Sequence, residues 1–346
     1  MFLSKFWPIF KTCLVTTVCV FGLAACDAEE LPTLPHHAPT THSNTDKSPK
    51  VNSMVRQFEY IYEPSGVTQM ANGEILVIED EARQAISVLS FAVPGSVIRI
   101  PVTRIQSRLG RLEDLEGIAQ SEDGHFYAIT SHSKTLKRRL PTARKKLIRF
   151  SLNNYEVHET VLISDVKKKI LNTYKSLRKN VSGRKSDLNI EALSYHRKKK
   201  QLMLGLRTPL VKGNAVIIRI TNPDQAFLKK GGIKLANKLM TLDLDQGGIR
   251  AMTYDKTLEG YLILSRREDK KDKSFKLWLW DGHAQHKPRR IHFDENLDLD
   301  AAEGVTPISI TSMDGLLIVF DDGNTQKAKG AHYVLVPYDQ LHIATN

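Results

Sequence analysis

The chain has 346 residues, a formal net charge of +12 and three cysteines. The cysteines, Cys13, Cys19 and Cys26, all lie at the N-terminal end, so the remaining residues offer neither a disulfide nor thiolate chemistry. The positive charge is concentrated in short runs, such as residues 197–200, and no basic–aromatic recognition motif accompanies it. The composition therefore argues against a disulfide-stabilised scaffold and against nucleic acid as a partner.

The N-terminal residues have the pattern of a bacterial secretory signal. Lys5 and Lys11 precede an apolar stretch from Cys13 to Ala25, which is well short of the roughly 20 residues that span a membrane. The stretch ends in Leu-Ala-Ala-Cys at 23–26, and this motif resembles the lipobox of bacterial lipoproteins. The resemblance implies that Cys26 receives a diacylglyceryl group and a further acyl chain such as palmitate, and that the mature protein begins there. The alternative is an ordinary cleaved signal that stops near a cysteine.

Residues 26–53 are rich in Pro, Ser, Thr, Asn and His and contain few apolar residues, so they cannot form a core. We predict a signal peptide over 1–25, a lipidated cysteine with a disordered linker over 26–53, and a folded domain over 54–346. The histidines at 36, 37 and 42 are weak metal candidates and are typical of an exposed linker. The expected location is the periplasmic side of the cell envelope, and Asp27 favours the inner membrane, as it does in some Gram-negative lipoproteins.

Five segments of the remaining chain share one pattern and begin at Ser65, Glu116, Glu191, Arg250 and Glu303. Each contains two strand-like runs joined by turn residues, which predicts a β-hairpin, and a further strand candidate follows. The unit repeats every roughly 50 to 75 residues, the size of one propeller blade. We therefore predict an all-β fold, a β-propeller of five blades. Six blades are the alternative if residues 155–187 hold another unit, although that segment also predicts a basic helical insertion around 165–180.

Short motifs mark the hairpin ends in a fixed order. They are Asp114-Leu115-Glu116-Gly117-Ile118 with Ser131-His132-Ser133, Asn189-Ile190-Glu191-Ala192-Leu193 with Gly205-Leu206-Arg207, Gly248-Ile249-Arg250, Trp280-Asp281-Gly282, and Ala302-Glu303-Gly304 with Asp321-Asp322-Gly323. In these motifs, residues from about 110 to 325 resemble an uncharacterised bacterial family of propeller domains that is similar to the esterase-like phytases. The resemblance implies the propeller fold. Phytase-like relatives bind calcium through acidic clusters, but the resemblance assigns no individual ligand.

The predicted hairpins also place charged residues around one mouth of a central channel. In an antiparallel pair, the first residue of one strand and the last residue of the other share an edge. The expected pairs are Ser65 with Asp80, Glu116 with Ser131, Glu191 with Arg207, Arg250 with Arg267, and Glu303 with Asp322. Two of these pairs carry like charges, which destabilise a strand pair when directly opposed. We expect either a network that neutralises itself between blades or a bound ligand.

A bound ligand would assign roles to several of these side chains. The ligand-binding candidates are Glu116, Glu191, Arg207, Arg250, Arg267 and Glu303, with the arginines suited to phosphate or carboxylate. The metal candidates are Glu303, Asp321 and Asp322, with calcium as the expected cofactor. His132 is a candidate general base, although a lone histidine at a strand end more often serves only as a hydrogen-bonding residue.

We expect a membrane-anchored lipoprotein whose propeller binds an anionic small molecule or an envelope protein at the charged mouth. The alternative is a calcium-assisted, phytase-like hydrolase of phosphoric or carboxylic esters, in which the cation activates water and arginines stabilise developing charge. No nucleophile elbow, zinc-protease, Walker or dinucleotide motif occurs, so the pattern assigns no catalytic residue. The basic runs are typical of solvated loops, or of a surface attracted to anionic lipid headgroups.

Overall fold

A computed structural model describes residues 54–80, 85–91, 96–181, 187–229, 231–268, 275–294 and 297–345. The signal peptide, Cys26 and the linker lie outside the described residues. All described residues belong to one unit of the chain. Among them, no helix is long and apolar enough to cross a membrane.

Strands dominate the described chain. In order they are β1 (Met54–Gln57), β2 (Pro64–Gln69), β3 (Ile75–Glu79), β4 (Ile86–Ser90), β5 (Ile98–Pro101), β6 (Leu115–Gln120), β7 (Phe126–Thr130), β8 (Leu147–Asn153), β9 (Glu156–Ile163), β10 (Asn189–His196), β11 (Gln201–Val211), β12 (Asn214–Ile220), β13 (Met240–Leu242), β14 (Gly248–Asp255), β15 (Gly260–Arg266), β16 (Phe275–Trp280), β17 (Arg289–Phe293), β18 (Ala302–Ile310), β19 (Met313–Phe320), β20 (His332–Pro337) and β21 (Leu341–Ile343). The α-helices are α1 (Ile105–Leu109), α2 (Val166–Thr173), α3 (Lys175–Asn180) and α4 (Pro223–Ala226).

Within the described residues, these strands form five antiparallel sheets, one for each blade of a β-propeller. The first three blades are β2–β5, β6–β9 and β10–β13, and the later two begin at β14 and β18. The prediction of five blades is confirmed. The segment that raised the alternative of six holds β9 and the helices α2 and α3, so it adds no blade. The basic helical insertion predicted around 165–180 is also confirmed.

Strands from the two ends of the described chain complete the last two blades. β1 pairs with β20 and forms the outer strand of the fifth blade, so this blade combines both ends of the propeller sequence. β21 pairs with β17 and extends the fourth blade to five strands. These pairings close the ring and cover two edges that would otherwise expose unpaired backbone groups.

The hydrophobic core lies between neighbouring blades rather than along the axis. Alternation along β3 shows why: Leu76 and Ile78 pack toward the second blade, while Ile75 and Val77 pack toward the fifth. Because successive side chains of a strand point to opposite faces, a strand whose two faces both pack against neighbouring blades is buried at every position. All five residues of β3 are buried accordingly, including the terminal Glu79.

The innermost strands β2, β6, β10, β14 and β18 are neighbours around the axis. Each contains a β-bulge one residue before a small residue. In β6, for example, Leu115 pairs with Thr130 and Gly117 pairs with Ile129, so Glu116 is the extra residue. The five bulged residues are Ser65, Glu116, Glu191, Arg250 and Glu303. Bulges re-aim side chains, and here they bring charged groups from different blades together.

The residue after each bulge is Gly or Ala, because adjacent inner strands approach each other closely at this level. A Cβ atom added at Gly117 would lie 2.7 Å from the backbone nitrogen of Leu193 in the next blade. The bulge and the small residue therefore form one structural motif that is repeated in each blade. The bulge places a side chain at the channel, and the small residue lets the strands converge behind it.

Candidate functional site

The bulged residues Ser65, Glu116, Glu191, Arg250 and Glu303 define what we call the charged ring. It lies where the inner strands begin and their hairpin partners end. The serine hydroxyl donates to the carbonyl of Leu115, which joins the first blade to the second. The other four members are charged, and their partners divide the ring into two halves with different electrostatics.

In one half, Arg250 is the centre of a buried ion-pair network. Its Nε donates to Glu303 Oε2 at 2.7 Å, and Nη2 contacts the other oxygen of the same carboxylate. Its Nη1 lies 2.7 Å from Glu191 Oε2 in an ion pair. Burial lowers the pKa of Arg250, and the nearby Glu191 carboxylate opposes that shift. Carboxylates from both neighbouring blades thus form ion pairs with the guanidinium.

Arg207 extends this network outward. Its Nη1 donates to Glu191 Oε1 at 2.9 Å, and its Nε donates to Glu268 Oε1 at 2.7 Å. Burial lowers the pKa of Arg207, but attraction to Glu191 and Glu268 outweighs this effect and the net shift is upward. The Nδ2 of Asn189 also donates to Glu191, at 2.7 Å. This half of the ring therefore pairs its charged groups between blades, in agreement with one of our two expectations.

The other half of the ring brings three carboxylates together. Carboxylate oxygens of Asp80, Asp114 and Glu116 lie within 4.8 Å of one another, and we call these residues the acidic cluster. Arg144 Nη1 lies 2.8 Å from Asp114 Oδ2, but Nε of the same arginine is shared with Glu113. Arg144 thus pairs with Asp114. Three converging carboxylates offer the oxygen donors that cations such as calcium accept in proteins.

Local backbone geometry brings the acidic cluster together. Asp80 follows β3 in the first blade, and Asp114 precedes β6 in the second, where its backbone nitrogen donates to the Asp80 carbonyl at 3.1 Å. Asp114 has a φ of 62°, in the left-handed region that aspartate tolerates better than most residues. Burial raises the pKa of Glu116 well above its ordinary value, and repulsion by Glu191, Asp80 and Asp114 adds to that rise. The three groups meet because a bulge and two connecting segments bring them together between the first and second blades.

Residues 151–337, a little over half of the chain, match the profile of a family described as "Protein of unknown function (DUF3616)". The chain belongs to this family. The matched region of the DUF3616 propeller includes Glu191, Arg250 and Glu303 but begins after the acidic cluster. No curated protein sequence matches the chain.

Solved structures with similar folds have low sequence identity to the DUF3616 propeller. A putative oxidoreductase (glucose dehydrogenase) from Thermus thermophilus is 10% identical, has a TM-score of 0.42, and covers 82% of this chain and 100% of its own. A pyrroloquinoline-quinone-bound aldose sugar dehydrogenase from Streptomyces coelicolor is 13% identical at a TM-score of 0.42, covering 85% and 100%. The major allergen Mala s 1 of Malassezia sympodialis is 10% identical at 0.44, covering 84% and 96%.

The bulges change which residues are opposite each other across each hairpin, so several of the residue pairs predicted from the sequence do not form. Arg250 lies between the pairs Ile249 with Ser265 and Ala251 with Leu264, so Arg267 is not its opposite residue. Glu303 similarly lies beside Phe320 and Val319 rather than Asp322. Of the predicted pairs, Glu191 and Arg207 are in direct contact. The expected opposition of two arginines does not occur, because the extra residue offsets the register.

The predicted metal ligands Glu303, Asp321 and Asp322 do not converge. Within the described residues, the acidic cluster is the group of three or more candidate ligands that comes together. Glu303 is bound to Arg250, whereas Asp322 accepts a hydrogen bond from the backbone nitrogen of His332 at 2.8 Å and contacts its ring. The sequence motif Asp-Asp-Gly therefore marks a structural contact rather than an assembled cation site.

His132 has an environment that does not suit a general base. The side chain is fully buried, and neither ring nitrogen has a hydrogen-bond partner within the described residues. Burial lowers its pKa from 6.5 to about 3, and Lys167 and Lys145 act in the same direction. Its backbone has a φ of 55°, in the left-handed region, and it follows β7 by two residues. The histidine is therefore a neutral core residue at ordinary pH.

A cavity of about 690 Å³ opens at the opposite end of the channel and was not predicted. Inner-strand residues three positions after the bulges line it, including Thr68, Ser194, Thr253 and Thr306, together with Tyr195. These short polar side chains alternate with core residues and resemble ordinary strand positions in the sequence. The two ends of the channel thus differ, since ion pairs dominate one and hydroxyl groups contribute to the other.

Proposed function

We propose that the protein is a lipid-anchored propeller of the cell envelope that binds an anionic ligand at the charged ring through a divalent cation held by the acidic cluster. The lipobox at Cys26 supports the anchoring. The convergence of Asp80, Asp114 and Glu116 within 4.8 Å is the observation that carries the proposed cation site. Calcium is the expected ion.

The chemistry of the cluster supports this choice of ion. Calcium takes six to eight oxygen ligands in a flexible geometry and accepts carboxylates as single or paired donors. Three carboxylates supply part of that number and leave positions for water or for an oxygen of a ligand. A phosphate or carboxylate on a small molecule or an envelope protein is suited to those open positions.

The state of the arginines supports recognition through a cation rather than directly. Arg250 and Arg207 each contact two carboxylates, so an anion would have to displace established ion pairs. Breaking a buried pair is costly, at about 3–5 kcal/mol, because an uncompensated charge remains. A cation at the acidic cluster would instead be coordinated by the three converging carboxylates and would present its own positive charge to the ligand.

Thermal unfolding with calcium tests this proposal on residues 27–346, which contain every described blade and the closing strand. A dissociation constant near 10 μM would stabilise the fold by about 2.7 kcal/mol at 1 mM calcium, enough to raise the melting temperature by several degrees. Glu116→Gln should abolish the rise. Glu303→Gln is the matched control, since it alters the same ring in the half that is paired with arginines, and it should retain the rise. No effect of calcium, or an equal effect in both variants, would contradict the site.

Calcium-assisted ester hydrolysis is the second candidate function, and the same convergence of three carboxylates favours it. Such a site could polarise a phosphoryl oxygen and activate water. We rank it second because the ring arginines that would stabilise developing charge are already paired. Phosphate and carboxylic esters should be assayed with and without calcium. Turnover that requires both calcium and Glu116 would favour the hydrolase, whereas calcium binding without turnover would favour the binding function.

A further inference from the structure

The loop between β7 and β8 exposes an apolar side chain at its tip. Leu136 has a relative exposure of 104%, the highest of the large hydrophobic residues in the described chain. The tip is an ordered turn: the Thr135 nitrogen donates to the Arg139 carbonyl and the Arg138 nitrogen donates to the Thr135 carbonyl, both at 2.7 Å. The turn therefore holds Leu136 away from the core, which requires an explanation that packing does not give.

Basic side chains surround this leucine. Lys134, Lys137, Arg138 and Arg139 are all exposed, and the loop from 131 to 146 contains no acidic residue. The apolar surface of this leucine is unfavourable in water, although the cations beside it are well solvated. The combination is well suited to a membrane surface with anionic headgroups, where the cations lie among the headgroups and the leucine reaches the acyl boundary.

The helices α2 and α3 extend the basic surface. Their apolar residues, including Val166, Ile170 and Leu177, pack into the core between the second and third blades. The opposite face exposes five further cations, Lys168, Lys169, Lys175, Arg178 and Lys179. The helical segment is thus amphipathic in the ordinary sense, with its apolar side buried in the protein and its charged side toward solvent.

Contacts through one aspartate link the loop to the first of these helices. Asp187 Oδ2 accepts from the backbone nitrogen of Lys134 at 2.6 Å, and its Oδ1 accepts from Lys167 Nζ at 2.6 Å. Lys167 also donates to the carbonyl of His132 at 2.8 Å. The loop and the helix are consequently fixed beside each other, and their cations belong to one surface.

We propose that this surface, formed by the 134–139 turn and the exposed face of α2 and α3, docks on an anionic phospholipid bilayer with Leu136 inserted at the headgroup boundary. The proposal rests on the exposed leucine and the charge of the surface. It requires neither the lipid on Cys26 nor a cation at the acidic cluster. It commits the occupant to a membrane surface rather than to a protein partner.

Vesicle binding tests the proposal with residues 27–346, without the lipid and without calcium. The protein should sediment with vesicles of phosphatidylcholine and phosphatidylglycerol but not with phosphatidylcholine alone, and salt should weaken binding. Leu136→Asp should lower the affinity by about tenfold or more. Leu228→Asp is the matched control. Leu228 is 60% exposed and follows α4 at the opposite end of the propeller, so this variant should bind like the wild type.

Three results would overturn the proposal. Equal binding to neutral and anionic vesicles would remove the role of charge. Undiminished vesicle binding by Leu136→Asp would remove the role of the leucine and leave only general attraction between opposite charges. Heparin, a polyanion without acyl chains, is the control for that attraction, and both leucine variants should be retained on it equally. Absence of vesicle binding at low salt would refute the membrane as the occupant. Both variants change exposed side chains, and matching melting temperatures would verify that each is folded.

Discussion

Lowering the pH from about 7.5 to about 5 should destabilise the propeller by about 2 kcal/mol through His132 alone. Its pKa falls from 6.5 to about 3 on folding, because burial disfavours the charged imidazole. The His132 imidazole is therefore protonated near pH 6.5 in the unfolded chain but only near pH 3 in the native protein. Stability is complete above the unfolded pKa and declines as pH falls toward the folded pKa. A pH of 5 lies about 1.5 units below the pKa of the unfolded imidazole, and each unit lowers the free energy of unfolding by roughly 1.4 kcal/mol.

Denaturant unfolding of the wild type and of His132→Asn at the two pH values measures this contribution. Asparagine tolerates the left-handed backbone found at this position, so the variant tests titration with little added backbone strain. Other titrating groups contribute to both proteins, and their effect cancels in the difference. The wild type should lose about 2 kcal/mol more than the variant between the two pH values. An identical loss in both proteins would refute the neutral, unpartnered state of the buried ring.

Three further predictions concern the ring, its packing and the N-terminus. Arg250→Met should lower the free energy of unfolding by about 3–5 kcal/mol in denaturant, because it strips a buried cation from two carboxylates; a loss below 1 kcal/mol would contradict that pairing. Gly117→Ala should cost about 1–3 kcal/mol because its Cβ meets the next inner strand. Gly232→Ala, which meets nothing within 4 Å, should change the same measurement little. Cys26→Ser should abolish acyl labelling and detergent-phase partitioning, and retention of both would refute the lipobox.

The blades could be predicted because hairpins leave local signals. Asn72-Gly73 and Asp123-Gly124 mark two of the turns, and both glycines have positive φ, at 86° and 85°. Apolar runs with turn residues between them then give the repeat. The closing strand β1 could not be recognised, since it is four residues long and its partner lies near the other end of the chain. Pairing at that distance depends on the completed ring, which no local pattern encodes.

The charged ring was only partly predictable for a different reason. The sequence identifies a residue near the start of each inner strand, but a bulge adds one residue without disturbing the apolar pattern on either side. Glu191 and Arg207 meet because Arg207 itself lies at a register shift, whereas Arg250 and Arg267 are offset. Asp80 and Asp114 belong to connections between strands, so their approach depends on the packing of two blades. The sequence therefore identified the ring but not the acidic cluster.

The direction of the strands places both proposed sites at one end of the propeller. β6 and β10 begin at the end where the bulges lie, and by antiparallel pairing β7 and β9 finish there. The loop with Leu136 follows β7, and α2 and α3 follow β9, so the basic surface and the charged ring share that end. The cavity lined by threonines lies at the other. A docked membrane would therefore face the acidic cluster, and an anionic group at that interface would approach the cation site from the membrane side.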